Sequence, residues 1–266
     1  MNAEGLCPPT TMLGCAAGSM PVYALNRELI FPPPEGATPE GVVAVGGDAS
    51  PERLLLAYSQ GIFPWPHGNL PLLWFSPDPR FVLRFAGVHI GRSLRKRVRS
   101  GEYEVRADTA FDRVLAGCAS VPRPGQDGTW ITPEIQRGFE GLHALGFAHS
   151  IEAWRDGELV GGLYGVALGG SFCGESMFAR ADDASKVAVT VLLGNLLHWG
   201  FHFVDCQVYT EHLERFGAEE WPRERFLRAL RTAVAQPTRR GPWQLELAGA
   251  ACLERLDAAR EHADAL

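Results

Sequence analysis

SIEAWRDGELVGGLYGVALGGSFC, the stretch from Ser150 to Cys173, holds three apolar runs, Ser150 to Trp154, Leu159 to Ala167 and Ser171 to Cys173. Asp156-Gly157 and Gly169-Gly170 separate them, and such dipeptides supply the backbone conformations of tight hairpin turns. The stretch therefore reads as an antiparallel meander. Working upstream, Phe111, Val114, Leu115 and Cys118 fall at i, i+3, i+4, i+7, one face of an amphipathic helix. Ile135, Phe139 and Leu142 repeat the pattern behind a Thr132 cap and Pro133. Strands are expected near Phe81 to Phe85 and Tyr103 to Arg106, with a basic run between them. Downstream, a helix from about Ser185 to Trp199 ends at Gly200. A strand at Phe203 to Gln207 and a helix over roughly Pro222 to Val234 follow.

From Phe31 to Pro79 the texture differs: Pro, Gly and aromatic residues are dense, and only short elements fit, one a helix near Pro51 to Gln60 begun by a Ser50 cap. The expected organisation is a disordered extension over 1–20, a small N-terminal domain over 21–79, a catalytic domain over 80–235 and a C-terminal tail over 236–266. The tail ends in a segment rich in Ala, Leu, Glu and Arg, a composition that suits a helix, and no function is assigned to it. The class is α+β, a mixed, mostly antiparallel sheet flanked by helices. The order strand, helix, helix, three strands, helix, strand, helix resembles the GNAT acyltransferase fold.

The chain has 266 residues, 46% hydrophobic and 21% charged, with a formal net charge of -6. That balance suits a globular protein with a real core, and nucleic acid would have to bind through a local patch rather than a global field. Arg92, Arg95, Lys96, Arg97 and Arg99 form one such patch, fit for phosphate contact or simply a solvated helix face. The six cysteines show no zinc-like spacing and read as reduced thiols. No run approaches the ~18 apolar residues of a membrane span, and no heptad seam argues against a monomer.

Two strand ends carry candidate chemistry. Glu175, in Cys173-Gly174-Glu175-Ser176-Met177-Phe178, is an acid on an apolar strand, either salt-bridged at an edge or titrating unusually at a functional site. In Val204-Asp205-Cys206-Gln207, alternation puts Asp205 and Gln207 on one face and Cys206 on the other. An acid beside an amide suits orienting and deprotonating an amine, or capping and surface roles. Cys206 is expected to be a buried, unreactive thiol. His198 and His202 are split by the helix-ending Gly200, so no metal site is expected; His149 and His212 read as hydrogen-bonded structural histidines. Trp65, Trp74, Phe75 and Trp130 stand in loop-like contexts, suited to stacking a nucleobase or packing between domains. Coenzyme A enzymes of the GNAT fold cradle pyrophosphate on a glycine-rich loop after the meander. Here Met177 to Ala184 holds no glycine and two acids, and neither a Walker loop nor a dinucleotide fingerprint occurs elsewhere. No cofactor is expected.

Nine ordered blocks carry a resemblance: Phe-Pro-Pro-Pro-Glu-Gly at 31–36, Gly-Gly-Asp at 46–48, Gly-Ile-Phe-Pro-Trp at 61–65, Trp-Phe-Ser-Pro-Asp-Pro-Arg at 74–80, Gly-Thr-Trp-Ile-Thr at 128–132, His-Ser-Ile-Glu at 149–152, Gly-Gly-Leu-Tyr-Gly-Val at 161–166, Cys-Gly-Glu-Ser-Met-Phe at 173–178 and Asp-Cys-Gln at 205–207. From roughly Phe31 to Leu230 the chain closely resembles the bacterial leucyl/phenylalanyl-tRNA–protein transferases. The resemblance implies a cytoplasmic enzyme of the N-degron pathway that moves leucine or phenylalanine from aminoacyl-tRNA onto proteins beginning with Arg or Lys. It implies that Trp65 and Trp130 hold the terminal adenosine and that Leu163, Phe172 and Leu192 shape the aminoacyl side-chain pocket. It further implies that Glu175 engages the acceptor while Asp205 and Gln207 handle the attacking amine. Residues 1–20 match nothing in this pattern, and structured-looking sequence starts just after Met20. Translation is therefore expected to begin at Met20, which mass spectrometry of the native protein's first residue would check: Met20 or Pro21 supports it, and Met1 or Asn2 rejects it.

Overall fold

The computed structural model describes residues 11–13, 22–68, 70–121 and 129–264. In chain order the elements are β1 (Thr11–Leu13), β2 (Val22–Leu25), β3 (Val42–Gly46), α1 (Pro51–Ser59), β4 (Phe63–Pro64), β5 (Leu73–Phe75), β6 (Arg80–Leu83), α2 (Arg92–Ser100), β7 (Glu104–Ala107), α3 (Phe111–Ser120), α4 (Pro133–Ala144), β8 (Ala148–Arg155), β9 (Glu158–Leu168), β10 (Ser171–Ala179), α5 (Ala184–His198), β11 (Phe203–Gln207), α6 (Glu211–Arg215), β12 (Glu219–Trp221), α7 (Arg223–Val234) and α8 (Gly249–Asp264). The strands form two sheets. The smaller runs β1-β2-β3-β5-β4 and the larger β12-β6-β11-β10-β9-β8-β7.

The meander is β8, β9 and β10. Asp156 and Gly157 adopt φ of 54° and 78°, the paired positive values that let a two-residue turn follow the strands' twist. In the larger sheet every pairing is antiparallel except that of β10 with β11. The parallel pair needs a crossover, and α5 supplies it. Nearly every residue of α5 is buried, as in a helix packed on all sides.

One face of the larger sheet packs against α2, α5 and α8 through residues such as Leu94, Val98, Leu192, Leu196 and Leu253. The other packs against α1, α3 and α4, and the same apolar cluster continues into the smaller sheet through Val43, Trp74 and Phe75. Thus the N-terminal segment shares its core with the larger sheet. Buried Glu152 fastens α3: its carboxylate accepts from the backbone N–H groups of Thr109 and Ala110 (2.8 Å each), from the Ser150 and Thr109 hydroxyls and from the Trp154 indole. The negative charge faces the positive end of the helix. Thr132 caps α4 as expected, accepting from Ile135 N–H.

Three expectations need correction. Ser50 does not cap α1 with its side chain; Asp48 instead accepts from the Ser50 N–H at 3.0 Å. The segment after 236 is not a tail over its described part. Trp243 is buried, its ring stacked on His149 at 3.7 Å, and α8 lies along α5 with Cys252, Leu253 and Leu256 in the core. The basic run is a helix, but two of its charges are engaged: Arg95 pairs with Asp257 of α8 (2.5 Å), and Arg97 holds Asp183 and the Asp182 carbonyl. Arg92, Lys96 and Arg99 remain on its exposed side. The expected disordered extension over 1–20 lies outside the described residues apart from 11–13.

Gly194 sets the approach of α5 and α8, since a Cβ there would collide with Cys252 Cβ and lie 2.7 Å from its Cα. In an open helix Gly→Ala stabilises by about 1 kcal/mol. Here backbone cannot yield, and overpacking costs about 1–3 kcal/mol. Gly194→Ala should therefore lower stability in urea unfolding and expose α8 to protease; a gain in stability would refute the close packing.

Candidate active site

Strands β10 and β11 pair only over Ser171–Phe203, Phe172–Val204 and Cys173–Asp205, then diverge. Two bulges mark the divergence. On β10 the register against β9 shifts between Gly174 and Ser176, which leaves Glu175 as the extra residue. On β11 it shifts against β6 between Asp205 and Gln207, with Gln207 in the left-handed region at φ 63°. Bulges re-aim side chains. Glu175 and Gln207 both turn into the gap, where Gln207 Nε2 donates to Glu175 Oε1 at 2.9 Å and contacts Cys173 Sγ at 3.3 Å. The amide nitrogen is thereby committed, and Oε1 of Gln207 is the atom it offers to a ligand's donor.

The gap opens into a cavity of about 500 Å³ lined mainly by apolar groups. Leu163, Phe172 and Leu192 stand in its wall, and so do Trp65 and Trp130, both half-buried. The structure thus brings the two tryptophans, three apolar residues, Glu175 and Gln207 around one cavity. Cys206, expected to point away, forms part of the apolar wall; burial pushes its thiol well above the usual range, so it is no nucleophile.

Asp205 is the main correction. It lies behind the cavity wall, 4% exposed, clamped by Arg80, itself 1% exposed. Arg80 Nε and Nη2 reach its two oxygens at 2.7 and 2.6 Å, Gln207 N–H donates to Oδ1 at 2.9 Å and the Cys173 thiol approaches Oδ2 at 3.5 Å. The guanidinium also donates to Gly61 O at 3.1 Å and lies between the rings of Phe63 and Phe226. Burial would lower the Arg80 pKa, but the carboxylate beside it holds it raised. With both oxygens occupied, Asp205 is not placed to take a proton from a substrate. It fixes the bulge that presents Gln207.

Glu175 is the acid with room to act. Burial raises its pKa to about 7, assisted by the charge of Asp205 and opposed by Tyr58, Cys173 and Arg80. Its Oε2 is enclosed without a hydrogen-bond partner. The buried Tyr58 hydroxyl faces it from α1, although the pair does not close a bond of good geometry. The sequence reading assigned no role to Arg80, whose signal was a lone cation opening the otherwise apolar strand Arg80-Phe81-Val82-Leu83. It also took His212 as hydrogen-bonded, whereas His212 lines the cavity with Nε2 buried and unpartnered.

Beyond β10, the position where a pyrophosphate loop would lie carries Asp182 and Asp183, tied to Arg97, Tyr103 and Lys186. Among the described residues no group of His, Cys, Asp and Glu could hold a metal ion, and no helix is long and apolar enough to cross a membrane.

A family model described as leucyl/phenylalanyl-tRNA protein transferase matches residues 82–231, and a model of that family's N-terminal domain matches residues 47–78. The chain belongs to this family. A leucyl/phenylalanyl-tRNA–protein transferase of Myxococcus xanthus (strain DK1622) is 62% identical over 226 residues, 84% of this chain and 97% of the relative. Another, of Anaeromyxobacter dehalogenans (strain 2CP-C), is 56% identical over 230 residues, 86% of this chain and 99% of the relative. Among solved structures, L-PGS from Bacillus licheniformis is similar with a TM-score of 0.35 at 10% identity, over 80% of this chain and 71% of that one, too loose a likeness to bear on the fold. The leucyl/phenylalanyl-tRNA protein transferase family model thus covers the second half of β6 and runs on through β11, with Arg80 just outside it.

Removing one partner of a buried ion pair costs about 3–5 kcal/mol. Asp205→Ala and Arg80→Met should each lower stability by that order in urea unfolding, whereas Glu175→Gln should stay near wild type. An Asp205→Ala protein that is as stable as wild type yet inactive would return Asp205 to the chemistry.

Proposed function

We propose that the chain transfers leucine or phenylalanine from aminoacyl-tRNA to the N-terminal Arg or Lys of acceptor proteins, marking them for the N-degron pathway in the cytoplasm. The observation that carries the mechanism is Glu175, a carboxylate raised to about 7 and joined to Gln207 in the lining of an apolar cavity that Trp65 and Trp130 also line.

Trp65 and Trp130 stack the terminal adenosine, each such contact contributing about 1–3 kcal/mol. Leu163, Phe172 and Leu192 receive the apolar aminoacyl side chain and disfavour charged ones, which would lose their water there. Arg92, Lys96 and Arg99 contact the tRNA backbone; Arg95 and Arg97 instead fasten α2. The splayed larger sheet and its α5 crossover support a GNAT-like catalytic domain.

The ester is already activated, so positioning and proton transfer are what the protein has to supply. The acceptor's α-amine has an ordinary pKa of about 7.7–8.0. Its nitrogen attacks the ester carbon while Gln207 Oε1 accepts one N–H and ionised Glu175 takes the proton released. The new C–N bond replaces the C–O bond to the ribose, and the proton held by Glu175 passes on to the leaving oxygen, which departs as a hydroxyl and leaves Glu175 ionised again. Glu175 and the amine must both be deprotonated. The rate should therefore climb with a slope near 2 in log rate below pH 7, near 1 just above it, and level off beyond about pH 8.

The test mixes the protein with radiolabelled leucyl-tRNA and an Arg-initial peptide, with an Ala-initial peptide and acetyl coenzyme A as controls. Label on the Arg peptide alone is expected, and acetylation instead would overturn the reading. Glu175→Gln should lose about 10²–10⁴-fold in single-turnover rate and reduce the acid-side slope to 1; an unchanged profile would remove Glu175 as the proton acceptor.

A further inference from the structure

We propose that His212 receives the α-amino group of the aminoacyl residue, so that the site selects donors whose amine is free and unacylated. The proposal rests on the aminoacyl-tRNA reading above and goes beyond it by assigning a third part of the donor to a named side chain.

His212 lies on α6, on the connection that follows Gln207, and is half-buried. Its Nε2 is enclosed in the cavity wall and makes no hydrogen bond; its ring meets the Phe216 ring at 5.3 Å. Burial and the nearby cations Lys186 and Arg215 lower its pKa and keep the imidazole neutral. Those cations are themselves paired, Lys186 with Asp183 and Arg215 with Glu211. A buried imidazole nitrogen without a partner is costly, and such groups are normally satisfied once their site is filled. Of the nearby polar groups, Glu175 and Gln207 bond each other and face the attacking amine, and the Thr210 hydroxyl accepts from Leu213 N–H to cap α6.

Position selects the ligand group. The cavity lies between two apolar clusters. Phe63, Trp65 and Trp130 belong to one, the smaller-sheet side. Leu163, Phe172, Leu192 and Leu213 belong to the other, and Phe216, against His212, belongs with them. His212, against Phe216, therefore goes with the part of the wall that holds Leu163, Phe172 and Leu192 rather than with the tryptophans. Of the polar groups on an aminoacyl ester, the ribose hydroxyl follows the adenosine, and the carbonyl carbon lies beside the attacking amine that Gln207 and Glu175 hold. The α-amino group shares its carbon with the side chain and is the one left to face His212. With its proton on Nδ1, His212 accepts an N–H of that amine at Nε2. An acylated amine is bulkier and has only one N–H to give.

Filter binding of leucyl-tRNA, N-acetylleucyl-tRNA and uncharged tRNA to the full chain tests this. The wild type should prefer leucyl-tRNA to N-acetylleucyl-tRNA, and His212→Ala should weaken leucyl-tRNA by about three- to tenfold while leaving the other two unchanged. His212→Gln, which keeps an acceptor, should recover part of the loss. Equal weakening of all three tRNAs, or no change for leucyl-tRNA, would overturn the proposal. Its failure is separable from that of the function: wild type that still labels the Arg peptide leaves the transferase reading standing without His212, whereas wild type that transfers no leucine removes both.

Discussion

The site depends on one buried ion pair. Arg80 opens β6 and Asp205 lies near the end of β11, 125 residues apart in sequence, and their two short hydrogen bonds join the strands where β11 is about to leave β10. Burying two charges is expensive, and such a pair persists where geometry and added hydrogen bonds offset desolvation. Here Gly61 O, Gln207 N–H, the Cys173 thiol and two aromatic faces supply those additions. The same contacts tie the N-terminal segment to the larger sheet, because Gly61 and Phe63 belong to the former and Phe226 to α7.

The consequence is a division of labour between two acids a short way apart. Asp205 spends both oxygens on structure. Glu175 sits on the neighbouring bulge with one oxygen on Gln207 and the other enclosed without a partner. Desolvation then moves Glu175 to about 7, near the ordinary range of an α-amine. Two carboxylates given different tasks by their surroundings make a nucleophile on the enzyme unnecessary when the substrate is already an ester.

Much of this was legible in the sequence, for identifiable reasons. The meander could be read because Asp156-Gly157 and Gly169-Gly170 punctuate apolar runs, and α4 because Thr132 and Pro133 announce it. The strands β2 to β5 were not legible: they span two to five residues among prolines and glycines, too short for a period to register. Alternation failed at the site itself. It placed Asp205 and Gln207 on one face, but a bulge with a left-handed Gln207 leaves Asp205 behind the wall and only the amide in the cavity. The partner that neutralises Asp205 is a tertiary fact, and so is the Asp257 that takes Arg95 out of the basic patch and seats α8.

The central claim is that Glu175, not Asp205, holds the proton the reaction moves. The direct measurement is carboxyl titration by ¹³C NMR on glutamate-labelled protein, with Glu175→Gln identifying the resonance. A midpoint near 7 is predicted for Glu175, as burial beside Asp205 requires. A midpoint near the ordinary value of 4.5 would contradict the account, because Glu175 would then be ionised throughout and could not give the second titration near pH 7 that the account requires.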